Sequence, residues 1–115
     1  MIEILSENAH PRGRMYSVSV EGKECQVLVT HHALGRIGRW GLEVESVIKA
    51  LLKPNEVVTG HHSRFIAHRP TNEHLIRIIY EYDEGIPVVV TVYRPKKERY
   101  YRGGGIYEDR VLRRC

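Results

Sequence analysis

Cysteine occurs only twice, at Cys25 and Cys115, and no CxxC pair is present. That excludes a thiolate metal cluster, a dithiol redox motif and the disulfide framework of a small secreted domain. No apolar run approaches the roughly 18–20 residues that a membrane span requires. The amino terminus also lacks the basic, apolar and small-residue succession of a signal peptide. The chain is therefore read as soluble and cytoplasmic, with no membrane partner. A GxxxxGK[ST] phosphate loop, HExxH, GxSxG and an EF-hand loop are all missing. The glycines at 103–105 do not lie between a strand and a helix, as a dinucleotide fingerprint would. No cofactor is implied. Glutamine occurs once and Arg outnumbers Lys, a pattern met in heat-stable proteins that says nothing about function.

What is present fits one small domain. The chain has 115 residues, of which 42% are hydrophobic and 28% charged, enough to bury a single core and solvate its surface. The formal charge of +4 is unevenly spread, since residues 94–115 hold 8 basic and 3 acidic side chains. A second excess of positive charge falls on residues 31–53. If the two segments meet, a phosphate-bearing partner is favoured; the alternative is a basic tail that serves solubility.

Periodicity divides the chain. Residues 1–14 show no clear period and contain the Pro11–Arg12–Gly13 breaker, so they read as a lead-in segment. Alternation from Met15 to Val29 around Glu21–Gly22 predicts a hairpin. Leu34, Ile37 and Trp40 then predict a short helix over 31–40, with Thr30 as its cap and Gly41 as its terminator. Val44, Val47, Ile48 and Leu51 predict a second helix that ends before Pro54. Strands follow at Val57–Val58, at 64–68, at 74–82 and at 88–93, the last a β-branched run suited to a central strand covered on both sides. The fold class is α+β: two helices on a mostly antiparallel sheet in a two-layer sandwich, with an extra N-terminal hairpin. Residues 15–102 form the domain and 103–115 a basic tail.

Three groups of residues carry candidate chemistry. His32, Arg36 and Arg39 share one helical stripe, where two guanidinium forks and an imidazole suit a scissile phosphate or form a solvated basic face. Arg64, His68 and Arg77 sit among apolar strand residues, and Arg77 is either paired to an acid such as Glu81 or aimed at a ligand. Tyr93, Arg94, Lys96, Lys97, Arg99, Tyr100, Tyr101 and Arg102 interleave rings with cations, a mixture that stacks bases and tracks a phosphate backbone. Seven histidines raise the question of a metal. Neither His31–His32 nor His61–His62 makes a two-ligand clamp, because adjacent side chains diverge on a helix and point to opposite faces on a strand.

The series THHALGRIGRWGLEVESVIKALLKPNEVV, SRFIAHR and HLIRIIYEYDEGIPVVVTVYRPKKERYY, over residues 30–101, resembles the RelE-like toxin superfamily and is nearest to its BrnT-like and uncharacterised relatives. The shared features are a His opening a helix, spaced arginines, a Pro-ended second helix and a strand closing in Thr91–Val92–Tyr93. The resemblance implies a metal-independent endoribonuclease or translation inhibitor with an antitoxin partner, acting on RNA that is free or ribosome-bound. It implies a site in which Arg36, Arg64 and Arg77 stabilise charge, His32 or Tyr93 moves a proton, and Arg39, Lys96, Lys97, Arg99, Tyr100 and Arg102 hold RNA. Two other readings stand beside it: a non-catalytic nucleic-acid or ribosome-binding module, and a small protein that binds a partner along a sheet edge. Homo-oligomerisation is left open.

Overall fold

In the computed structural model, which describes residues 1–115, one seven-stranded sheet carries two helices. The elements run β1 (Ile2–His10), β2 (Gly13–Val20), β3 (Lys23–Thr30), α1 (His31–Arg39), α2 (Val44–Leu52), β4 (Glu56–Thr59), β5 (Phe65–Pro70), β6 (Leu75–Asp83) and β7 (Ile86–Tyr93). The spatial order is β1-β2-β3-β7-β6-β5-β4. Only β3 and β7 are parallel, so the sheet is mostly antiparallel and β7 is its middle strand.

Two expectations are corrected at the ends of the chain. Residues 2–10 are the edge strand β1 instead of an irregular lead-in, and Pro11–Arg12 is the turn that returns the chain into β2. Gly13 is required there: a Cβ at this position would stand 1.9 Å from the Val29 carbonyl oxygen. At the other end, residues 103–115 are a strap instead of a free tail. The Val57 amide donates to the Ile106 carbonyl and the Glu108 amide to the Val57 carbonyl, which seals the outer edge of β4. The strap then buries Val111 in the core, and Cys115 is joined to Cys25 of β3 in a disulfide. The exclusion of a disulfide framework thus holds for a multi-bridge scaffold but misses this single link.

Local signals account for the helices. Thr30 ends β3 and caps α1, its hydroxyl oxygen accepting from the Ala33 amide while donating to the Val89 carbonyl of β7. In α1 the buried positions are Ala33 and Ile37, whereas Trp40, expected on the buried stripe, stays 37% exposed and donates its indole N–H to the Val92 carbonyl. In α2 the side chains of Val47, Ile48, Ala50, Leu51 and Leu52 are buried against the sheet. The sheet residues that meet the helices are those in register with Ala67: Val57 on β4, Ile78 on β6 and, beyond it, Val92 on β7. Strand alternation turns the intervening residues, Glu56 and Arg77 among them, to the opposite face, where the segment carrying Tyr100, Arg102 and Gly104 meets them. No helix is long and apolar enough to cross a membrane.

Candidate functional site

On the face away from the helices, one polar row runs across four strands. Glu56 of β4 is the register partner of His68 on β5, His68 of Arg77 on β6, and Arg77 of Tyr93 on β7. Register partners in a sheet bring their side chains together, so the backbone alone lines these four groups up. Glu56 and His68 are 0% and 1% exposed. Such buried polar groups must be satisfied internally, and these are. Glu56 Oε2 lies 2.7 Å from His68 Nδ1, and His68 Nε2 lies 2.9 Å from Arg77 Nη1. The backbone amides of Arg102 and Gly104 donate to the Glu56 carboxylate at 3.0 Å each.

The partners settle the charge on the imidazole. Arginine has no lone pair to accept with, so Nε2 is the acceptor and the single ring proton sits on Nδ1, donated to Glu56. Burial pushes the His68 pKa below its ordinary value and the Arg77 charge pushes it further, outweighing the pull of Glu56. For Glu56, burial acts upward, but the hydrogen bonds from His68 and the two amides win and hold its pKa below the ordinary carboxylate value. Neutral His68 therefore links a buried carboxylate to a guanidinium and fixes where that guanidinium lies. Burial also draws the Arg77 pKa down from its ordinary value, yet arginine remains charged.

Arg77 faces a pocket. Its Cζ lies 4.0 Å from the centre of the Tyr100 ring, and Arg99 approaches the same ring at 5.7 Å. The pocket has a volume of about 410 Å³ and is lined by Arg77, Arg94, Arg99, Trp40, Tyr93 and Tyr100, with Ile79 and Pro95 completing it. It contains no carboxylate, and no ion pair of the protein uses Arg77, Arg94, Arg99 or Arg102. Those guanidiniums are consequently available to an anion, and the rings beside them offer flat apolar faces to a base. No three His, Cys, Asp or Glu side chains converge on a point where a metal ion would bind.

Of the residues singled out in the sequence, Arg77, Tyr93, Arg94, Arg99 and Tyr100 meet in this pocket, and His68, Tyr101 and Arg102 line the one next to it. The others do not join them. His32 and Arg39 are exposed and Arg36 half-buried on α1, outside both pockets. Arg64 donates through Nε to Glu81 at 2.8 Å, so the acid considered for Arg77 belongs to Arg64. Lys96 precedes and Lys97 opens the 3-10 turn Lys97–Arg99, and they line neither pocket. Trp40 and Glu56 are the residues that sequence reasoning missed as part of a site. A tryptophan closing a basic helix was the only advance signal for the first; the second, an acid after Pro54–Asn55, looks like any solvated turn residue. No protein-family model matches the chain, and neither a curated protein nor a solved structure matches it.

Proposed function

We propose that the protein binds single-stranded RNA at the arginine–aromatic pocket and cleaves it without a metal ion, as a toxin-type endoribonuclease. The observation that carries this reading is a pocket with three guanidiniums and three aromatic residues and no carboxylate, one of the guanidiniums being held from behind by a buried Glu–His pair. In the proposed step the ribose 2′-oxygen attacks the adjacent phosphorus. The O2′–P bond forms as the P–O5′ bond breaks, giving a 2′,3′-cyclic phosphate and a 5′-hydroxyl. Arg77 and Arg99 stabilise the negative charge that builds on the phosphoryl oxygens. Tyr93 donates its phenolic proton to the leaving 5′-oxygen, the 2′ proton passes to solvent water, and water returns a proton to the Tyr93 phenolate. His32, Arg36 and Arg64 have no part in the step; α1 and the cations at 96 and 97 attract the rest of the strand.

A non-catalytic RNA-binding module is the second reading, favoured by one specific fact. The imidazole nearest the pocket, His68, has both nitrogens engaged and is held neutral, so it is poorly placed to exchange a proton with substrate. Incubation of end-labelled RNA with wild type, Tyr93→Phe and Arg99→Ala in the presence of EDTA decides between them. Cleavage to cyclic-phosphate ends that Tyr93→Phe abolishes while binding persists supports the nuclease. Salt-sensitive binding without cleavage in any of the three selects the binding module, and no binding at all refutes both.

A further inference from the structure

A second pocket, of about 360 Å³, adjoins the first. It shares Arg77, Arg99 and Tyr100 with the first and adds Ile66, Val58 and Arg102, with His68 and Tyr101 also on its walls. It too lacks a carboxylate on its lining, for Glu56 lies buried behind His68. The two cavities are each of the size that small-molecule sites occupy. They share one stack on their walls: Arg77 against Tyr100, with Arg99 approaching the same ring.

We propose that this stack divides two nucleotide subsites and that the smallest ligand filling the site is a dinucleotide. The phosphate that joins the two nucleosides lies on the shared guanidiniums of Arg77 and Arg99, and one base enters each pocket. The inference rests on the RNA reading above and adds its substrate class. Its logic is one of matching parts. A phosphodiester is the single anionic group between two flat bases, and here the shared cations line two adjoining cavities, each of which also carries apolar side chains. Those are Ile79 and Pro95 in one cavity, Val58 and Ile66 in the other. The second subsite is also built into the same frame as the first. The amide of Arg102 donates to the Glu56 carboxylate, the group that positions Arg77 through His68. Glu56 thus sets the guanidinium at the divide and the backbone of the far wall together.

The single tryptophan, Trp40, lines the first pocket and reports its occupancy by fluorescence. The probes are adenosine 5′-monophosphate and an adenylyl-adenosine dinucleotide blocked against cleavage by a 2′-O-methyl group on its 5′ nucleoside. The dinucleotide is expected to bind wild type at least about tenfold more tightly, since a second linked contact raises the local concentration of the first. Arg102→Ala keeps its backbone amide and therefore its link to Glu56. It is expected to lose most of the dinucleotide advantage while binding the mononucleotide within about twofold of wild type, as for an additive, independent subsite. Equal affinity for the two probes, or an equal loss of both in Arg102→Ala, overturns the two-subsite inference and leaves the RNA reading standing. Failure of either probe and of longer RNA to bind overturns the RNA reading and the inference with it.

Discussion

Replacing Glu56 by glutamine perturbs the site at its origin with almost no change in shape. The carboxylate accepts three N–H bonds, from His68, Arg102 and Gly104, in a place without solvent access. Glutamine keeps one oxygen, which can serve His68 and Arg102, and turns its amide group toward the Gly104 N–H, donor against donor. Two charge-assisted bonds become neutral ones and a third is lost with its donor stranded. At about 1–3 kcal/mol for a stranded buried group and somewhat under 1 kcal/mol for each weakened bond, the expected loss is about 3 kcal/mol. In urea, with a slope near 1.5 kcal/mol per molar, the midpoint should fall by about 2 M. The pH dependence supplies an independent check. The folded-state pKa of Glu56 lies below its ordinary value of 4.5, so its contribution is complete above that value and is lost as the pH falls through the depressed one. The gap between wild type and Glu56→Gln should therefore be widest above pH 4.5 and close below it. His68 acts earlier in the same direction: its pKa is depressed from 6.5, so wild type should begin to lose stability as the pH drops below that value. A loss smaller than about 1 kcal/mol at pH 7, or a gap that persists unchanged into strong acid, would refute the idea that Glu56 is the ionised anchor of the row.

Two further substitutions probe the frame. The hydroxyl of Thr91 is buried on β7 with no partner, so Thr91→Val should raise stability by roughly 1 kcal/mol in the same urea assay, and a drop would reveal a partner for that oxygen. The disulfide spans 90 residues, so under oxidising conditions Cys115→Ser should lower stability by up to about 4.6 kcal/mol on the chain-entropy argument. Addition of a thiol reductant should bring wild type down to the variant, and indifference to both changes would show that the cross-link carries no stability.

Elements with a buried face were legible, and elements without one were not. The β6 residues Ile76, Ile78 and Tyr80 alternate with Arg77 and Ile79, and it is the first set that enters the core. The β-branched run of β7 announced a middle strand, and Thr30 announced the start of α1. Strand β1 was silent because an edge strand wet along most of its length has no reason to alternate: Glu3, Ser6, Glu7 and Asn8 show no hydrophobic period. The strap was silent because backbone bonds to Val57, hydrogen bonds to the Glu108 and Asp109 carboxylates, one buried valine and a cysteine hold it, none of which makes a pattern. At the site, Arg77 stood out because a cation inside an apolar strand demands an answer. What answered it did not stand out, for the Glu56–His68 pair depends on a register across 12 residues that only the β4–β5 turn fixes. The basic stripe of α1 was readable as a surface, but only its last neighbour, Trp40, reaches the pocket.

The two margins of the sheet are treated unequally. At β4 the outward amide and carbonyl of Val57 are taken by the returning chain, and the Thr59 amide by the Glu108 carboxylate. At β1 the outward row of backbone groups has no neighbouring strand. A molecule with two bare margins can be added to endlessly, as fibres are; one with a single bare margin can accept one more strand there and then has nothing left to offer. Association through β1, whether with another copy of this chain or with an extended segment of a different one, is therefore self-terminating: it makes pairs, and the closed margin at β4 is what prevents a polymer.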